Sequence, residues 1–149
     1  METNASAVLQ CDVLVIGGGP AGATIATLLA EQGYQVTLAD KDRHPRFHIG
    51  ESLLPANLPL FEKLGIADEI RAIGIKKMAA EFHSPWHNKL QVFPFAEAWD
   101  KSMQYSYQVR RSEFDAILLK NASAKGAEVI EGCQVRQVEF QPDRSVQVT

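Results

Sequence analysis

Three glycines, at positions 17, 19 and 22, stand between a run of branched apolar residues and a run rich in alanine and leucine. No other feature constrains the fold as strongly. Asp12-Val13-Leu14-Val15-Ile16 is short and apolar, which predicts a strand buried on both faces. Residues from about Pro20 to Gln32 predict a helix stopped by Gly33 at the C′ position. Gln35 to Ala39 predict a second strand ending at Asp40. Strand, glycine turn, helix and strand complete a βαβ unit with a right-handed crossover. In that setting Gly17 permits the tight turn and Gly19 lets a pyrophosphate approach the backbone. Gly22 lets helix and strand pack closely. The phosphates of a dinucleotide would rest at the helix N-terminus that Pro20 and Ala21 begin, on its unpaired amides and positive dipole end. Asp40 is placed to accept hydrogen bonds from an adenosine ribose, and its charge disfavours a 2′-phosphate. The plainer reading, a turn that merely connects two elements, has strand, helix, acid and spacing all against it.

Composition narrows the class further. With 149 residues, 46% of them hydrophobic and 22% charged, the chain excludes a disordered tail or a fibre and can bury one real core. Fifteen Lys+Arg against 18 Asp+Glu give a net charge of −3, and no basic cluster speaks for nucleic acid. Cys11 and Cys133 form no metal-type spacing, so a reduced, cytoplasmic setting is the simpler expectation, although two cysteines could also pair. Val13 to Ala30 is free of charge and nearly long enough to span a membrane, but Gly17, Gly18, Gly19 and Pro20 interrupt it. Its flank carries Glu2 and Asp12 rather than the positive charge of a signal peptide, so neither a span nor a leader is expected. In that setting the sequons at Asn4 and Asn121 go unused. His44 with His48, and His83 with His87, are four apart, but Pro45 and Pro85 break the helix that such a ligand pair needs. No metal site is expected.

Residues 1–10 are expected to be a disordered N-terminus. After Asp40, residues 41–49 are irregular and basic. Glu51 to Gly65 is helical in parts, with Pro55 and Pro59 in first turns, and Ile66 to Ile73 is a further helix. Three short strands are expected near Met78–Phe82, Leu90–Phe95 and Gln104–Val109. A helix begins at Ser112, with Asp115 completing a capping box, and presents Phe114, Ile117, Leu118 and Ala122 on one face before Gly126 ends it. Glu128–Glu131 is a strand, and Cys133–Phe140 with Ser145–Val148 a hairpin around Pro142-Asp143. The aromatic middle section, from Trp86 and Phe93 to Trp99 and Tyr105, is read chiefly as core, with an aromatic-lined pocket as the alternative.

The glycines alone do not separate FAD from NAD. GGGPAGAT, Asp40, PRFHIGESLLP (Pro45 to Pro55), YQVRRSEFDAILL (Tyr107 to Leu119) and AEVIEGCQV together resemble the N-terminal part of the flavin-dependent halogenase and monooxygenase group. That group shares the para-hydroxybenzoate hydroxylase-like fold and has geranylgeranyl reductase relatives. PRFHIGESLLP is its narrowest motif and points to halogenase-like members.

The resemblance implies FAD as cofactor and a fold class of α/β, a Rossmann-like FAD-binding domain with a three-layer parallel sheet, an added β-meander and partial substrate-side strands. Residues 11–149 would be that domain, incomplete and the front of a larger fold, with 76–109 a substrate-side insertion. Gly17, Gly19 and Gly22 would hold the pyrophosphate and Asp40 the ribose. Arg111 would reach the phosphates or the adenosine side, where a permanently charged fork suits the task. Gln134 and Val135 would lie by the adenine, and Gly50, Glu51 and Ser52 by the isoalloxazine. Read from residue types alone, Glu51-Ser52 are as readily a helix start. Lys77, in Lys-Met-Ala-Ala-Glu-Phe, is similar to the family lysine that relays hypohalous acid, although Lys76 leaves the register open by one and both could be solvated.

The implied activity is that of an FAD-dependent oxidoreductase of halogenase type. A flavin hydroperoxide and halide would halogenate an electron-rich aromatic or pyrrole-type molecule, with O2 consumed and a flavin reductase supplying reduced FAD. An aromatic monooxygenase using NAD(P)H, a geranylgeranyl-reductase-like enzyme and a non-catalytic FAD-binding fragment are the alternatives.

Overall fold

The computed structural model describes residues 8–149. Residues 8–10 carry no regular element, while the rest of the expected N-terminal disorder, with Glu2 and the sequon at Asn4, lies outside the described residues. In chain order the elements are β1 (Val13–Ile16), α1 (Pro20–Glu31), β2 (Val36–Asp40), α2 (Leu58–Leu64), α3 (Ala67–Ile73) and β3 (Ile75–Lys77). Then come β4 (Ala79–Ser84), β5 (Lys89–Pro94), β6 (Ser106–Gln108), α4 (Arg111–Ala124), β7 (Glu128–Glu131), β8 (Val138–Phe140) and β9 (Val146–Val148). The chain divides into two compact units. The first joins the described residues of Met1–Arg43 to Ala122–Thr149, and the second is His44–Asn121.

In the first unit β1, β2 and β7 form a parallel sheet in that order, with Leu14 opposite Thr37 and Leu38 opposite Val129. Every residue of the central strand β2 is buried, as a continuous apolar run demands. The edge strand β1 differs from expectation. Only Val15 is buried, and Ile16 is 56% exposed, because an edge position covers fewer of a strand's side chains. Helix α1 runs as predicted, with Ala23, Ala26 and Thr27 fully buried and Gly33 at φ 89° beyond its end. The hairpin β8–β9 pairs Val138 with Val148, but its first arm is shorter than expected, since residues 133–137 lie outside a strand.

In the second unit Phe61, Leu64, Ile66 and Ile70 of the α2–α3 region are buried, as are Phe114 and Leu118 of α4. Phe61 and Phe114 meet edge to face at 5.7 Å. Asn121, which carries the second sequon, donates from Nδ2 to the Leu64 carbonyl at 3.2 Å. Helix α4 starts one residue early, at Arg111, and the capping box does not form. Asp115 is fully buried and spends both carboxylate oxygens on Arg111 instead. Two antiparallel pairs complete the unit, β3 with β6 and β4 with β5. Core packing accounts for Phe95 and Tyr107, yet Trp86, Phe93 and Trp99 are exposed, Trp86 at a hairpin turn and Phe93 on an outer strand face.

Candidate functional site

The predicted site residues fall into two groups, one in each unit. In the first unit the turn 17–19 leads from β1 into α1 and is tied to the neighbouring strand. Gly17 N–H donates to the Ala39 carbonyl at 2.8 Å, and the Gly18 amide donates to Asp40 Oδ2. Gly17 sits at φ 101°, a conformation that glycine adopts without strain. A side chain at Gly22 would put its Cβ 1.9 Å from the Gly17 carbonyl oxygen, so the turn lies hard against the first turn of the helix. Gly19 is the N-cap and has no side chain to satisfy the helix, and Pro20 at N1 has no N–H. The first turn holds no acidic residue. Ala21 and Gly22 precede the first helical bond, from Ala23 N–H to the Gly19 carbonyl, so their amides belong to the unpaired set at a helix start.

Asp40 is 4% exposed and its second oxygen accepts the Asp42 amide at 2.8 Å. The acid therefore organises the backbone at the end of β2. Beyond it the Cys133 amide donates to the Asp40 carbonyl at 2.8 Å, which draws the chain after β7 to the end of β2. An open cleft of about 780 Å³ lies there, lined by Lys41, Asp42, Gly132, Cys133, Gln134 and Arg136 among others. Gln134 thus faces a cavity at the carboxyl ends of parallel strands, where ligands of open α/β sheets bind. Val135 is half-buried beside it. Cys11 and Cys133 are both free thiols.

In the second unit residues 51–53 pair alongside β6 and are not a helix start. Val109 N–H donates to the Glu51 carbonyl and Leu53 N–H to the Tyr107 carbonyl, both at 2.9 Å, and Ser52 bridges Gln108. Gly50, at φ 95°, would bring a Cβ within 3.2 Å of Arg111 Nη1. Arg111 donates from Nε and Nη2 to Asp115 at 2.7 and 2.9 Å and from Nη1 to the Ile49 carbonyl at 2.8 Å. Three of its five N–H groups are thus engaged, one by the Ile49 carbonyl of this segment and two by Asp115 on its own helix, and two are left. Arg46 Nη1 lies 3.9 Å from the same Asp115.

Strand β3 separates the two lysines by its period of two. Lys76 lies opposite Tyr107, and its Nζ sits 4.0 Å above the Tyr105 ring. Tyr105 and Tyr107 meet edge to face at 5.6 Å, and burial raises the Tyr107 phenol above its usual pKa of 10.0. Lys77 points to the other face, opposite Ser106, and donates to Ser52 Oγ. Gly50, Glu51, Ser52, Arg111 and Lys77 therefore gather around β6.

Several residues of these groups escaped sequence reasoning. Ser106 is one, and the cleft residues Lys41 and Arg136 are others. Asp115 was visible, but its Arg111 partner four residues back, a spacing that signals a helical ion pair, was not read. Neither histidine pair forms a ligand set, and among the described residues no group of three or more His, Cys, Asp or Glu could hold a metal. No described helix is long and apolar enough to cross a membrane.

The fold and the glycine turn define a dinucleotide-binding α/β protein. The FAD binding domain family matches residues 10–148, and the chain belongs to that family, with FAD as its cofactor. It is 42% identical over 135 residues to the tryptophan 2-halogenase of Chondromyces crocatus, covering 90% of this chain and 25% of that protein. It is 39% identical over 134 residues to the flavin-dependent halogenase rdc2 of Metacordyceps chlamydosporia, covering 89% and 24%. Among solved structures, the myxobacterial chondrochloren halogenase CndH, an FAD-dependent halogenase, superposes with a TM-score of 0.81 at 37% identity, over 93% of this chain and 32% of that one. The chain spans about a quarter of the length of these two relatives. The turn is compatible with that cofactor, since an uncapped helix start with no acidic residue in its first turn suits a phosphate.

Proposed function

We propose that the chain is the cofactor-binding part of a flavin-dependent halogenase acting on an electron-rich aromatic or pyrrole-type small molecule. The observation that carries this reading is Lys77, the one lysine of the pair that lies on the face of β6 shared with Ser52. FAD supplies the redox chemistry with O2 when bound. The turn at Gly17, Gly19 and Gly22, with Pro20 and Ala21, would hold its pyrophosphate and Asp40 its ribose. Gln134 and Val135 would lie by the adenine, Arg111 would offer its remaining donors to the phosphates or the adenosine side, and Gly50 to Ser52 would lie beside the ring system. Lys77 would hydrogen-bond the oxidised halogen and orient it toward substrate, a task that suits an ammonium half-withdrawn from water. In the net reaction a C–H bond becomes a C–halogen bond and O2 leaves as water, the electrons coming from halide and from the reduced cofactor. A flavin reductase would regenerate that cofactor, in the reducing, cytoplasmic setting that suits two free thiols.

The test is the full-length protein with FAD, a reductase, halide and a panel of aromatic acceptors, with products read by mass spectrometry. A halogen isotope pattern in wild type, lost in Lys77→Ala with FAD still bound, is the expected result. A hydroxylated product in its place makes the protein a monooxygenase, and a halogenating Lys77→Ala variant removes the lysine's role.

A further inference from the structure

We propose that Ser52 is a positioning residue for Lys77, fixing where the ammonium sits without itself touching substrate; its catalytic value rests on the reading above, in which Lys77 acts. A lysine ends in a compact charge on a flexible four-carbon stem, so its strand position alone does not fix its tip.

The register does part of that work. Lys77 lies opposite Ser106 and Ser52 opposite Gln108, on the two flanks of β6. Ser106 and Gln108 are two residues apart, so all four side chains share one face. Neighbouring strands lie about 4.8 Å apart, so a contact from β3 across β6 to Ser52 requires the lysine stem to be extended. The Lys77 ammonium makes that contact with Ser52 Oγ, and it lies 5.6 Å from the centroid of the buried Phe95 ring, within cation–π reach.

The choice of hydroxyl is the telling part. Ser106 is the nearer residue by register and is 1% exposed, and its Oγ has no hydrogen-bond partner among the described residues. The ammonium passes that orphaned oxygen and takes Ser52. Ser52 continues the segment that Arg111 orders through the Ile49 carbonyl, so the lysine's anchor is part of the stretch assigned to the flavin. A shift in that stretch would move the lysine tip with it.

The experiment uses the full-length protein and the variants Ser52→Ala, Ser52→Thr, Ser106→Ala and Lys77→Ala. Lys77 acetylation by an amine reagent is first followed in the cofactor-free protein by peptide mass spectrometry. Ser52→Ala is expected to speed labelling of Lys77 about fivefold, the worth of one ordinary hydrogen bond, with Ser52→Thr restoring the wild-type rate and Ser106→Ala leaving it unchanged. In the loaded enzyme, with FAD held at a concentration that saturates each variant, Ser52→Ala should divert oxidant from halogenated product to a free-oxidant trap. Labelling of Lys77 at the wild-type rate in Ser52→Ala, or an equal rise in Ser106→Ala, overturns the proposal. Full halogenation by Lys77→Ala overturns the catalytic reading instead, and the labelling rates then still decide whether Ser52 holds the lysine.

Discussion

The glycine turn of the first unit and the Lys77 face of the second, the two sites proposed above, are built by opposite means. The turn works by subtraction. Gly22 has no side chain, Gly19 leaves the helix uncapped, and Pro20 has no amide, so what remains is a row of backbone donors held by the sheet. The Lys77 face works by addition, since it is built of long or polar side chains, Lys77 steadied by Ser52 and Arg111 by Asp115. A site made of backbone is as rigid as its strand and helix, whereas a site made of side chains is as rigid as its hydrogen bonds. Substitutions should therefore break the first by adding atoms and the second by removing them.

The largest effect is expected from an addition. Gly22→Val places a branched side chain where even a Cβ would lie 1.9 Å from the Gly17 carbonyl oxygen. The turn must open, at about 4 kcal/mol, and FAD retention should be lost. Flavin absorbance co-eluting with the protein, together with a denaturant melt, measures both. A yellow Gly22→Val protein of wild-type affinity would remove the phosphate cradle from this turn. The matching subtraction is Asp115→Ala. It strips a fully buried carboxylate from Arg111, whose guanidinium loses both of its hydrogen bonds to that group. About 3 kcal/mol of stability should go, as for other broken buried pairs, and Asp115→Asn should recover part of it. A melt that Asp115→Ala leaves unmoved would mean that Arg111 orders the 49–52 segment unaided.

Asp40 tests the boundary between the two kinds of site, being a side chain that serves the backbone cradle. Both its oxygens accept amides, from Gly18 and Asp42. Asp40→Asn keeps one acceptor and turns an N–H donor against another. Stability should fall by about 1 kcal/mol and FAD affinity by about tenfold, read by fluorescence titration. An affinity change without a stability change would assign Asp40 to the ribose alone.

This contrast also explains what could be read from the sequence. Gly17, Gly19, Gly22, α1 and β2 were legible because glycine spacing, an Ala-rich run and a β-branched run are local signals that need no partner. The β1 edge was misjudged because an apolar run looks the same at a sheet's centre and at its edge. On the Lys77 face little was local. Strand β3 has three residues, too few to show a period, and Ser52 stands 25 residues from Lys77. Only the pairing of β6 with both flanks brings those two together. Asp115 was seen but given the wrong partner, since Ser-x-x-Asp and Arg-x-x-x-Asp overlap at the same helix start and burial chose the charged pair.

The smallest effect is expected far from either site, and it sets the scale for the others. In the β8–β9 turn the Asp143 carboxylate accepts from Ser145 Oγ at 2.7 Å and from the Ser145 amide at 2.9 Å. These bonds hold its pKa below the ordinary value of 3.8. A carboxyl lowered in the folded state adds stability above its unfolded pKa, and that contribution is lost as pH falls through the folded value. Asp143→Asn should therefore flatten only the acid limb below about pH 4, with urea midpoints near neutrality moving little because the group is solvent-exposed. FAD affinity should stay at the wild-type value throughout. A drop in affinity comparable to that of Asp40→Asn would show that the hairpin feeds back on the cradle, and the separation between backbone site and peripheral turn would fail.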